Sequence, residues 1–145
     1  MSQQLALRES QELLFFAYRA FTSAPDAMLN KRGWTRVHHR IMHFIAREPG
    51  ITVSGLLEKL QVSKQALHGP LKVLIGEGVV LTEASQSDRR VKQLYLSPSG
   101  AQLEQTLSAP QIDLLKRAFA ECSEQTLIEW RAVMNAIIEE EQRSR

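Results

Sequence analysis

The stretch ITVSGLLEKLQVSKQALHGPLKVLIGEGVVLTEASQSDRRVKQLYL, residues 51–96, reads as helix, tight turn, helix and hairpin. Thr52 suits the cap of a first helix carrying Leu56, Leu57 and Leu60 at helical spacing. Gln61 and Val62 leave only a short connection before Ser63, whose hydroxyl can accept from the open amides of the next turn. The second helix then lines Leu67, Leu71 and Leu74 along one face and leaves Lys64, Gln65 and His68 pointing away from it. Gly78 tolerates the left-handed backbone that ends a helix. Beyond it the period changes to that of strands, over Val79–Leu81 and Val91–Leu96, around the polar tip 84–89. Helix, turn, helix and basic hairpin together make a winged helix, in which the second helix enters the major groove of DNA.

Val62-Ser63-Lys64-Gln65, Gly78-Val79-Val80, Asp88-Arg89-Arg90 and Tyr95-Leu96-Ser97-Pro98-Ser99-Gly100 occur here in that order. In pieces and spacing the sequence resembles the MarR family of bacterial transcriptional regulators, closely over residues 32–100 and more loosely outside them. The resemblance implies a homodimer on a palindromic operator, acting as a repressor released by a small ligand or oxidant. It also implies an effector pocket where the dimer arm meets the winged helix, often taking aromatic acids. Three positions depart from the family pattern: Gly69 stands where relatives often carry arginine, Pro70 lies inside the recognition helix, and Gln61 replaces a frequent turn glycine. Pro70 lacks a backbone donor and crowds the carbonyl of Ala66, so a bent helix and weaker intrinsic DNA binding are expected.

Charge distribution agrees with a DNA-facing middle. Residues 1–29 hold two bases against three acids, residues 30–96 eleven against five, and residues 97–145 five against eight. The positive excess therefore sits on the winged-helix segment, where phosphates need it. The chain total of +2 hides this.

Outward from the centre, residues 34–47 read as a helix with Val37, Ile41, Phe44 and Ile45 inward and Arg36, His38, His39, Arg40 and His43 on other faces. Residues 10–21 read as a first helix, apolar over most of its circumference, followed by a turn-rich break over 23–30 around Pro25. Ser97-Pro98 opens another helix, and Pro110 is expected to reset the chain into a further one. Ser123 caps a last helix with Leu127, Met134, Ile137 and Ile138 on its apolar side, and the tail from Glu139 is expected to fray. The terminal helices hold more apolar surface than one winged helix covers, which predicts an interlocked dimer. The expected fold is thus mainly α with a small β-hairpin wing. Residues 1–30 and 98–145 supply dimerisation helices and residues 31–97 bind DNA, all within one structural domain.

The 145 residues suit one domain with an oligomerisation arm, and no apolar run approaches a membrane span. With no signal-peptide pattern and a single cysteine, the cytoplasm is the expected compartment. No phosphate loop, zinc-type cysteine spacing or nucleophile elbow occurs, so neither an enzyme nor a cofactor is expected. His39 and His43 stand four apart, but no further ligand lies at helical spacing, and no metal site is expected. Cys122, flanked by Glu121 and Glu124, reads as structural. Asp88 at an exposed tip should keep an ordinary carboxyl and brace an arginine toward DNA.

The candidate DNA contacts are therefore Ser63, Lys64, Gln65 and His68 on the recognition helix and Arg89, Arg90 and Lys92 on the wing, with Arg36 and Arg40 as further phosphate contacts. Trp34, His38 and His39 are the candidate walls of an effector pocket, against the plainer reading of Trp34 as packing. The rival function is a protein-interaction adaptor that has lost DNA reading, favoured by Gly69 and Pro70 and opposed by the retained basic tip.

Overall fold

A computed structural model describes residues 2–145. Its elements in chain order are α1 (Gln3–Lys31), α2 (Arg36–Arg47), β1 (Ile51–Thr52), α3 (Val53–Leu60), α4 (Lys64–Gly76), β2 (Val80–Ala84), β3 (Lys92–Leu96), α5 (Pro98–Phe119) and α6 (Glu124–Arg143). The chain divides into two compact units, residues 1–111 and 112–145. The first unit holds α1 to α4, the sheet and the start of α5; the second holds the end of α5 and α6.

The helix-turn-helix forms as the caps predict. Thr52 Oγ1 accepts from the Gly55 amide at 3.0 Å, and Ser63 Oγ accepts from the Ala66 amide at 3.0 Å. Between the two helices Gln61 adopts the left-handed region at φ 55°, a conformation that favours glycine. Gly78 follows α4 at φ 74°, as its type predicts. Leu67, Leu71 and Leu74 of α4 are buried with Ile41, Met42 and Ile45 of α2, Leu56 of α3 and Val80 and Leu94 of the strands. α2 packs against α3, α4 and β3, and so belongs to the winged helix rather than to α1 alone.

The hairpin pairs β2 with β3 in antiparallel register from Val80 opposite Leu96 to Ala84 opposite Lys92. Sequence reading missed a third strand. β1 adds to the other edge of β3, with Ile51 opposite Leu94, giving the order β1-β3-β2. Two residues are too short for a periodicity signal.

Three helix boundaries correct the sequence reading. The break expected over 23–30 does not occur: α1 runs through Pro25 to Lys31. A proline at position 25 leaves the Phe21 carbonyl without its helical donor. Gln111 Nε2 donates to that carbonyl at 3.2 Å, and Pro25 itself is buried. Gln111→Ala is therefore expected to cost about 1–2 kcal/mol by leaving the carbonyl unpaired. Denaturant midpoints would check it, and the loss should shrink when Pro25→Ala restores the intrahelical donor. Likewise Pro110 lies inside α5, which continues to Phe119 instead of restarting. α6 extends to Arg143 rather than fraying at Glu139, with Arg143 paired to Glu140 across one turn.

In the second unit Ser123 caps α6 through the Thr126 amide at 3.1 Å, and Phe119 meets Trp130 edge to face at 5.1 Å. Cys122 is a free thiol exposed at the surface.

Candidate nucleic-acid interface

The first turn of α4 carries the predicted contacts on its outer face. Ser63, Lys64, Gln65 and His68 are all exposed, while Leu67 between them is buried. Lys64, Gln65 and His68 border one open groove with Val53 and Leu57 of α3. Ser63 Oγ accepts from the Ala66 amide and the Ser63 carbonyl from the Leu67 amide, and the start of such a helix favours an anion. A Cβ added at Gly69 would meet nothing within 4 Å, so no steric requirement excludes a side chain there. α4 runs through Pro70 to Gly76.

The wing presents the second group. Its tip closes through the Ser85 amide to the Val91 carbonyl at 2.8 Å and the Val91 amide to the Asp88 carbonyl at 3.0 Å. Arg89, Arg90 and Lys92 are exposed along it. Arg90 Nε donates to Asp88 Oδ1 at 3.2 Å, and the Arg90 amide donates to the same oxygen at 3.0 Å. The hydrogen bonds from Arg90 hold the Asp88 carboxyl below its ordinary range, which corrects the expectation of an unshifted group. The charge on Arg90 is thus partly offset, whereas Arg89 is exposed on the tip and makes no such bond to Asp88.

Arg36 and Arg40 do not join these groups. Both turn toward α1, where Arg36 Nη2 pairs with Asp26 Oδ2 at 2.8 Å and Arg40 donates to the Tyr18 hydroxyl. They line a cavity of about 220 Å³ with Tyr18, Phe21, Asp26 and Phe44. Sequence reading missed these α1 residues because Tyr18, Thr22 and Asp26 form an i, i+4, i+8 row only if the helix continues past Ser23.

Of the three predicted pocket residues, His39 alone lines this cavity. His38 and His39 are buried, against the expectation that they face outward. His38 Nδ1 accepts from the Thr35 amide at 2.9 Å and its ring stacks on Trp34 at 5.4 Å, so both serve the corner that starts α2. Trp34 precedes α2 and is a core residue. His39 Nε2 lies 3.1 Å from Ser108 Oγ, which donates to Glu104 Oε1 at 2.7 Å. The serine hydrogen points at the carboxylate, so Nε2 carries the proton toward the serine oxygen. Burial pushes His39 below the ordinary histidine range, with Glu104 offsetting part of the effect. Among the described residues no cluster of three or more His, Cys, Asp or Glu side chains is arranged to hold a metal, and no helix is long and apolar enough to cross a membrane.

Comparison with known proteins agrees with this geometry. The model of the MarR family matches residues 32–91. The HTH-type transcriptional regulator PetP of Rhodobacter capsulatus is 40% identical over 133 residues, covering 92% of this chain and 80% of that protein. Among solved structures, Staphylococcus aureus MarR in complex with salicylate and kanamycin superposes with a TM-score of 0.76 at 23% identity, covering 99% of this chain and 96% of that one. The S. aureus MepR–DNA complex gives 0.73 at 15% identity, covering 88% and 93%. The structural neighbours carry the likeness of fold, and the 40% identical relative carries the family: the chain is a winged helix-turn-helix transcriptional regulator and belongs to the MarR family.

Proposed function

We propose that the protein is a homodimeric repressor that binds a palindromic operator in the cytoplasm and is released by a small aromatic acid. The observation that carries the DNA reading is the exposed cationic and polar first turn of α4 beside a basic wing, on the segment that holds the positive excess of the chain. In this reading Gln65 and His68 meet base edges, Ser63 and Lys64 meet the neighbouring phosphates, and Arg89, Arg90 and Lys92 track the backbone. Residues 31–97 form the DNA-binding region, flanked by dimerisation helices over 1–30 and 98–145. Dimerisation is supported by α1, which leaves Leu13, Phe15 and Phe16 more than half exposed, and by α6, which does the same with Val133 and Ile138. The likeness of fold to a salicylate complex and a DNA complex supports the remainder.

We assign the effector to the cavity lined by α1 and α2 rather than to Trp34 and His38. Its volume of about 220 Å³ lies below the roughly 300–1,000 Å³ of drug-sized pockets, which limits an occupant to about one ring. Apolar walls from Phe21, Pro25 and Phe44 face Arg36 and Arg40, a pairing that suits an aromatic carboxylate.

Selection of bound sequences from a random duplex library, with sedimentation of the free protein, tests the reading. A recovered palindrome and a species of twice the 16.4 kDa chain mass are expected. Absence of binding to any duplex at low salt would favour the adaptor instead, and a well-folded monomer at micromolar concentration would overturn the dimer.

A further inference from the structure

The seam between α1 and α2 is a polar ladder. Arg36 Nε reaches both Asp26 oxygens at 3.2 Å and Nη2 reaches Oδ2 at 2.8 Å. The same Nη2 lies 3.4 Å from Thr22 Oγ1, and the guanidinium sits 5.1 Å over the Tyr18 ring. Arg40 caps the other end of Tyr18 through its hydroxyl. Asp26 is the single acidic residue lining a cavity that also presents Arg36, Arg40, His39 and His43. It occupies the fork that an incoming carboxylate would use, because planar guanidinium donors bind carboxylates side-on in pairs. The Asp26 side chain is 29% exposed, so it can turn into water when displaced.

We infer that Asp26 is an internal competitor for the effector: the carboxylate of an aromatic acid replaces that of Asp26 on Arg36 and thereby unties α1 from α2. This rests on the effector reading above. One carboxylate is exchanged for another, so Arg36 is never left unpaired and the exchange adds no net cost of a stranded charge. Since α2 packs with α3, α4 and β3, the tie that is lost is one between the long N-terminal helix and the DNA-reading body. A ligand can shift that equilibrium only through its different affinity for the tied and untied states, and the Arg36 fork supplies such a difference.

The opposite role predicts the opposite sign. If Asp26 only held Arg36 in position, removing its charge would weaken the ligand. Calorimetric titration of salicylate into the full-length wild type, Asp26→Asn and Asp26→Ala separates the two, with 2-hydroxybenzyl alcohol as a neutral probe of the same shape. The expected result is salicylate binding tighter by about three- to tenfold in Asp26→Asn, with the alcohol unchanged, in keeping with the modest strength of exposed ion pairs. Asp26→Asn keeps the shape of the side chain, and an unchanged melting curve verifies its fold. Equal or weaker salicylate binding in both variants, or an equal gain for the alcohol, overturns the competitor role while wild-type binding keeps the pocket. No binding by any of the three proteins overturns the pocket reading as well. Binding by the variants alone supports the competitor in its strongest form.

Discussion

Replacing Gly100 with alanine is expected to destabilise the fold by about 3 kcal/mol, the upper part of the usual range for forcing one methyl into a packed site. The reason lies in the start of α5. Ser97 Oγ donates to the Gly78 carbonyl at 2.6 Å and accepts from the Gly100 amide at 3.0 Å, so one hydroxyl ties the end of α4 to the first turn of α5. The Ser97 amide donates to the Val79 carbonyl at 3.0 Å. These bonds draw the backbones so close that a Cβ on Gly100 would stand 2.2 Å from the Val79 oxygen. That atom is backbone, fixed on one side by Gly78 at φ 74° and on the other by β2. It cannot swing aside as a side chain would. For a chain of this size the loss corresponds to a melting temperature lower by roughly 10 °C. Gly76→Ala is the control, since nothing lies within 4 Å of its added carbon and helical alanine is favoured by up to about 1 kcal/mol. A Gly100→Ala protein that melts with the wild type would show that the α4–α5 junction opens at little cost.

This junction also shows what can be read from sequence. Ser97-Pro98-Ser99-Gly100 announces a helix start by local chemistry, and so do Thr52, Ser63 and Gly78, because a cap and its receiving amide lie within one turn. The helix-turn-helix, the wing and the exposed row Lys64, Gln65 and His68 were legible for the same reason. What escaped depends on partners far along the chain. The Phe21 carbonyl that lets α1 run through Pro25 is satisfied by Gln111, ninety positions on. β1 exists only because Ile51 lies beside Leu94. His39 looked like a surface residue until α5 brought Ser108 against it. The cavity was hidden by the expected break in α1: only an unbroken helix lines up Tyr18, Thr22 and Asp26, and only then do Arg36 and Arg40 have partners on it.

With the wing on the phosphate backbone, as proposed, Arg89→Ala with Arg90→Ala should weaken DNA binding on the order of 10- to 100-fold, operator and random duplex alike. Charge-assisted hydrogen bonds of the usual strength set that scale, at about tenfold or more for one arginine. The two residues should not contribute equally. Arg90 already shares its guanidinium with Asp88, through Nε at 3.2 Å and Nη2 at 3.3 Å, and it must divide its donors between that carboxylate and a phosphate. Arg89 carries no such bond to Asp88, so its single substitution should cause the larger loss. The plot of log affinity against log salt should flatten by roughly 2 units in the double variant, since each released phosphate contact accounts for about 0.9. Sequence preference should survive, because phosphate contacts position the protein without reading bases, and base reading is the role proposed for Gln65 and His68. Fluorescence anisotropy with both duplexes at several salt concentrations measures affinity, slope and preference together. A double variant that lost operator binding yet held random DNA as tightly as the wild type would mean that the wing reads sequence, with an arginine in the minor groove.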